Sequence, residues 1–157
     1  MNSTDKPDRP DIITWPPLIF VACAGISTVA HFTCPFRVAR HSVSSVAGGI
    51  LAVLSGFLAI WAAHTMKAAG TNVRPDRPAL TIVRSGPYKF TRNPMYLSLC
   101  LLQLAIGFFL NDWTPVLFAI VLGLLLHFGV VLREETYLEG KFGDQYLSLK
   151  REVPRWL

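Results

Sequence analysis

Charge is scarce in this chain, and it is scarcest in the middle. Only 16% of the 157 residues are charged, and long stretches between Trp15 and Leu132 carry no charge at all. A soluble helical bundle needs a polar face on each helix. Leu97 to Leu110 has only Ser98, Cys100 and Gln103 to supply one, so that alternative is set aside. Cysteine is also rare. Cys23, Cys34 and Cys100 are odd in number, widely spaced and form no CxxC pair, which argues against a disulfide framework or a zinc site. His31, His41, His64 and His127 do not share a helix face at ligand spacing, so no metal is expected. No internal repeat is present. No basic stretch interleaved with aromatics offers a base-stacking surface, so nucleic acid is not an expected partner.

Apolar length is abundant, at 52% hydrophobic residues. A span needs roughly 20 mostly apolar residues to cross the hydrocarbon. Four candidates are read, over residues 15–32, 44–66, 95–110 and 115–132. Asn111 to Thr114 form a tight turn between the last two, which makes them an antiparallel hairpin. The fold class expected is all-α: a polytopic membrane helix bundle of about four transmembrane helices with a cytoplasmic C-terminal helical tail. Cys23 and Cys100 fall inside spans, where a thiol acts as a small packing residue. Gly48, Ala52 and Gly56 place small residues on one face of the second span. Packing within the chain is the favoured reading and a dimer contact the other, so oligomeric state stays open.

The net charge of +5 reads as topology. With four spans, thirteen of the 15 cations fall on the side of the two termini and the 67–94 loop, and only Arg37 and Arg40 on the other. The positive-inside bias makes the first side cytoplasmic. Residues 1–14 are polar, rich in Pro and Asp, and expected to be a disordered cytoplasmic N-terminus. Ala22 to Ala24 imitates a signal cleavage site, but cutting there would leave too short an apolar region. The 67–94 segment is a long polar loop with buried-type residues Ile82, Val83, Tyr88 and Phe90, the pattern of a functional loop. Residues 133–157 form a tail with an apolar face of Leu138, Phe142, Tyr146 and Leu149, able to fold back as a lid over that loop.

Two short strings carry the chemistry. In Ser85 to Tyr96, Gly86-Pro87 makes a turn, and Asn93-Pro94 starts the third span as N-cap and first helical residue. A helix N-terminus offers free N–H groups and partial positive charge, a site for an anion such as an amino-acid carboxylate. The same residues also fit a plain helix cap with an interfacial aromatic belt. In Arg133-Glu134-Glu135, two carboxylates sit at the end of the fourth span, where charge tends to mark function. Adjacent helix residues diverge by about 100°, so one carboxylate faces inward, to hold an ammonium group or ribose hydroxyls. The other is left to pair with Arg133 or Arg92. The hairpin brings Asn93 and Glu134 to the same membrane face. The resulting pocket suits a zwitterionic, adenine-bearing sulfonium, with Tyr88 or Tyr96 stacked on adenine or facing the cation.

The strings Gly70-Thr71-Asn72-Val73, Ile82 to Tyr88, Arg92-Asn93-Pro94-Met95-Tyr96, Glu134-Glu135, Phe142 to Tyr146 and Val153-Pro154-Arg155 together resemble the isoprenylcysteine carboxyl methyltransferases and their bacterial relatives, which in turn resemble phospholipid methyltransferases. The resemblance covers about residues 69–157. It implies a methyltransferase using S-adenosylmethionine on a lipid-like or prenylated acceptor. It also implies cofactor contacts at Leu80, Thr81, Ile82 and Val83, at Tyr88 and Arg92, at Asn93, Pro94, Met95 and Tyr96, and at Glu134. The pattern departs at two places. The prenylcysteine enzymes have His where this chain has Asn93, and an Arg linked to the substrate carboxylate where this chain has Val130. Arg133 and Glu135 are the catalytic candidates, the first as a stand-in for that arginine and the second as the base for an amine or thiol acceptor. The C-terminal string also resembles membrane sterol reductases, which use NADPH. That alternative, and a non-enzymatic membrane protein with a degenerate pocket, are separated from methyl transfer by which cofactor binds.

Overall fold

A computed structural model describes residues 8–38 and 41–157. Six α-helices follow in order: α1 Pro16–Thr33, α2 His41–Ala68, α3 Pro94–Leu110, α4 Trp113–Leu126, α5 Leu132–Phe142 and α6 Asp144–Glu152. A π-helical turn, His127–Val131, joins α4 to α5, and a 3-10 turn covers Gly86–Lys89. Among the described residues there is no strand, only one isolated bridge between Arg37 and Asp112. α1, α2 and the continuous helix Trp113–Phe142 are each long and apolar enough to cross a membrane, and α3 is a shorter apolar helix. The expected spans 44–66 and 95–110 fall within α2 and α3, 15–32 begins one residue before α1, and 115–132 runs through α4 and the π turn to the first residue of α5.

α3 is central: α2 packs along it on one side and α4 on the other, with α1 against α4. The α2–α3 contact is close because Gly48 has no side chain. A Cβ there would stand 3.0 Å from the Phe109 nitrogen and 3.1 Å from the Ala105 oxygen. Two serines reinforce the seam, Ser44 Oγ donating to the Phe108 carbonyl (2.5 Å) and Ser55 Oγ to that of Ser98 (2.7 Å). Small residues and interhelical hydrogen bonds of this kind join helices where lipid supplies no hydrophobic drive. Within-chain packing is therefore what Gly48 does, whereas Gly56 faces open space. The outward faces are apolar, with Phe57 63% and Ile60 72% exposed on α2, a surface suited to acyl chains rather than water.

Asn111, in the left-handed conformation (φ 51°), ends α3, and the Asp112 carboxylate caps α4 by accepting from the Thr114 N–H at 2.7 Å. Inside, Cys23, Leu122, Leu126 and Val130 form the buried core, with Cys100 packed against it, so both thiols are packing residues. At the opposite end, Tyr146, Leu149 and Val153 form a second cluster with Ile82, Leu138 and Phe142. α6 reverses at Gly143 and folds back over the loop that leads to α3.

Of the N-terminal segment expected to be disordered, residues 8–14 make defined contacts, and residues 1–7, like Ala39 and Arg40, lie outside the described residues. The Ile13 N–H donates to the Gly129 carbonyl at the π turn (3.1 Å), and Ile12 packs on the core. Asp8 accepts from Lys141 Nζ and Tyr137 Oη, both at 2.7 Å. The acidic residues that made this segment look unstructured are the groups that tie it down, to partners more than 120 residues away.

Candidate active site

Gly86 sets the site's position. It has φ +56°, and a Cβ there would lie 2.6 Å from Thr65 Oγ1 and 3.1 Å from Trp61 Nε1. Only glycine allows both the turn and the approach to α2. Pro87 follows, buried in the 3-10 turn, and the chain then runs through Tyr88 to the start of α3. Pro94 opens α3, so the Met95 and Tyr96 N–H groups have no carbonyl a turn earlier to accept them. Asn93 does not cap with its side chain, as the sequence pattern suggested. Its Nδ2 instead donates to the Arg155 carbonyl (2.9 Å), which Thr91 Oγ1 also reaches at 3.1 Å. Asn93 thus fastens the tail to the mouth of α3, leaving the first turn open.

The two adjacent carboxylates part company. Glu134 accepts from Tyr96 Oη at 2.7 Å, which joins α5 to the first turn of α3. Glu135, 5% exposed, turns to the tail. Arg155 grips it with Nε and Nη2 at 2.7 and 2.8 Å, and Arg92 Nη1 approaches at 2.9 Å. Lys150 adds its charge at 3.9 Å and also binds Glu139. Arg92 further donates to the Val153 carbonyl (3.1 Å) and to Tyr146 Oη (3.2 Å). Burial first, and then the charge of Glu135, push the Tyr146 phenol up to about 12. Tyr88 is raised above its usual range by burial and by Glu134. Both phenols stay protonated and neutral at physiological pH.

These groups line a cavity of about 360 Å³ between the loop, α3, α5 and the tail. Of the residues expected at a cofactor site, Thr81, Ile82, Val83, Tyr88, Arg92, Asn93, Pro94, Met95, Tyr96 and Glu134 all line it. Leu80 does not: it is 61% exposed, and its N–H donates to Thr71 Oγ1 at 3.0 Å. Of the two catalytic candidates, Glu135 reaches the cavity wall but is tied up by cations, which leaves it poorly suited to accept a proton. Arg133 is not among the lining residues, and its Nη1 donates to the Asp11 carbonyl at 3.0 Å. Val130 itself is fully buried in the core.

Sequence reasoning missed several wall residues. Trp15, Arg74, Arg77 and Tyr137 also line the cavity. Tyr137 Oη accepts from the Ala79 N–H (3.3 Å) while donating to Asp8, so one phenol joins loop, N-terminal strap and α5. The aromatic and cationic content of the loop and strap was the available signal. Their convergence was not, because the partners lie far apart in the chain.

The described residues do not match a metal site: no group of three His, Cys, Asp or Glu is placed to hold an ion. Comparison with known proteins supplies the deciding observation. The phospholipid methyltransferase family model matches residues 43–145, most of α2 through the first residues of α6. The chain belongs to the phospholipid methyltransferase family. The match covers the loop, α3 and both glutamates, which form much of the cavity wall. An uncharacterized protein of Haemophilus influenzae is 46% identical over 63 residues, which are 40% of this chain and the whole of that protein. Membership of the phospholipid methyltransferase family implies a methyltransferase acting on lipid-like substrates.

Proposed function

We propose that this protein transfers a methyl group from S-adenosylmethionine to a lipid-like acceptor at the cytoplasmic membrane surface. The observation that carries the reading is Glu134, held at 2.7 Å by Tyr96 Oη on the wall of a cavity that also meets the open first turn of α3. The donor set fits the cofactor. About 360 Å³ lies within the roughly 300–1,000 Å³ of small-molecule sites. A carboxylate suits an ammonium group, a sulfonium or ribose hydroxyls, and the N–H groups of Met95 and Tyr96 suit a carboxylate. Tyr88, neutral and aromatic, offers a face to a cation or a surface to a purine.

When bound, S-adenosylmethionine supplies an electrophilic methyl group, and methyl transfer cancels the sulfonium charge. The protein's own residues align and enclose. Glu134 places a part-buried carboxyl group, oriented by Tyr96, in a largely apolar wall. The tail, clamped by Glu135 to Arg92 and Arg155, closes the cavity on the water side, and the strap at Pro10 and Trp15 closes another edge. Positioning of this kind can supply roughly 7–11 kcal/mol of a barrier. Glu135 is assigned to this clamp rather than to proton transfer, which favours an acceptor that needs no protein base.

The cytoplasmic assignment rests on charge. The strap, the 67–94 loop and the tail converge on one end of the bundle and bring most of the cations with them, in keeping with the positive-inside rule. The test is calorimetry of the purified protein in detergent with S-adenosylmethionine and, separately, NADPH, followed by labelled methyl transfer into a lipid extract. Saturable binding of the first and label in a lipid product are expected. Binding of NADPH alone, or of neither, would overturn the proposal.

A further inference from the structure

Three cations line the cavity: Arg74, Arg77 and Arg92. Arg92 is committed to Glu135 at 2.9 Å. Arg74 is committed to Asp76 through two hydrogen bonds, at 2.9 and 2.7 Å, and lies over the Trp15 ring at 5.8 Å. Arg77 is exposed, and among the described residues it forms no ion pair. Asp76, its neighbour in the chain, is already bridged by Arg74. The rim therefore carries one net positive charge.

The turn that presents Arg77 is built rather than loose. The Arg77 N–H donates to the Arg74 carbonyl at 3.2 Å. Asn72 Nδ2 donates to the Pro78 carbonyl at 2.8 Å, and the Ala79 N–H to Tyr137 Oη at 3.3 Å. A guanidinium on such a turn, without an ion pair among the described residues and beside a cavity, is a receptor for an oxyanion, to which its planar fork is matched.

We propose that Arg77 binds an anionic group of a ligand lodged in this cavity: the phosphate of a phospholipid acceptor or the carboxylate of the methyl donor. Both are oxyanions of similar geometry. The proposal rests on the methyl-transfer reading only for the second source, because a phosphate-bearing lipid would bind whether or not the protein transfers methyl groups.

Two ligand pairs separate the sources. Dihexanoylglycerophosphate and dihexanoylglycerol differ by a phosphate, and S-adenosylmethionine and its decarboxylated form differ by a carboxylate. Each is titrated by calorimetry into the wild-type protein and into R77Q and R77K in detergent. The wild type should favour the anionic member of one pair. R77Q should weaken binding of that member about fivefold, as expected for one basic residue near a membrane surface, and leave its neutral partner unchanged. R77K should keep most of the affinity, and the loss should shrink in high salt. The pair that responds names the anion. If R77Q changes neither preference, or R77K loses as much as R77Q, the proposal is overturned. If the wild type binds no S-adenosylmethionine but its phosphate preference still depends on Arg77, methyl transfer fails and the rim assignment stands.

Discussion

Arg155 and Glu135, twenty residues apart in sequence, form a two-pronged ion pair at 2.7 and 2.8 Å that holds the C-terminal tail against the mouth of α3. Arg92 shares the same carboxylate, so one buried acid anchors two guanidinium groups. Glu135→Gln would leave Arg92, only 8% exposed, without its counter-charge. Breaking a buried pair from one side costs about 3–5 kcal/mol. The expected outcome is a released tail, read as a lower unfolding temperature and faster tryptic cleavage at Lys150 and Arg151. A tail that stays as resistant as the wild type's would refute the clamp.

Glu134→Gln should behave differently. An amide oxygen can still accept from Tyr96 Oη, so the fold should survive with little change in unfolding temperature. The ionisable carboxyl is what goes. Hydrogen bonds to charged groups contribute about 1.5–3 kcal/mol, so affinity for S-adenosylmethionine should fall roughly 10-fold to 100-fold. Calorimetry measures the affinity, and circular dichroism checks the helices. Unchanged affinity would remove Glu134 from the site.

The contrast between these neighbours also marks where sequence reading stopped. Apolar run length revealed the helices, because roughly 20 apolar residues have few other uses. Asn111 to Thr114 announced the hairpin as a tight turn, which the structure builds from a left-handed Asn111 and an Asp112 cap. From there it followed that Glu134 meets the start of α3. Helix geometry alone left open which glutamate faces inward, and the family resemblance pointed to Glu134. The π turn at His127–Val131 lies between the span and the pair. One extra residue rotates everything after it by about 100°, and no local composition signals it. The contacts of residues 8–14 and Arg133 escaped the sequence for a related reason. Their partners are each other, across more than 100 residues, and no periodicity connects them.

Gly86→Ala tests how the loop is seated. Alanine pays for a left-handed backbone with about 1–2 kcal/mol, and its Cβ would stand 2.6 Å from Thr65 Oγ1. The turn must shift away from α2 and carry Tyr88 with it. The expected result is a clear fall in unfolding temperature together with weaker cofactor binding. Pairing it with Thr65→Ala should recover part of the packing loss but none of the backbone strain. Equal stability of Gly86→Ala and the wild type would refute the strain account.

Asp112, at the opposite end of the bundle, predicts an acid-sensitive hairpin. Its burial alone would raise the carboxyl pKa. The His31 ring at 2.5 Å and the N–H groups of Thr114 (2.7 Å) and Phe36 (3.2 Å) outweigh that and hold it below its usual value of 3.8. A folded value below the unfolded one means that the native state releases this proton more readily. Its stabilising contribution is therefore present above about pH 4 and disappears as pH falls through the lower folded value. Unfolding temperature should drop on acidification below that point. Asp112→Asn, which cannot ionise, should be less stable near neutral pH and lose part of the wild type's acid sensitivity. An unchanged acid profile in that variant would show that other carboxylates set the dependence.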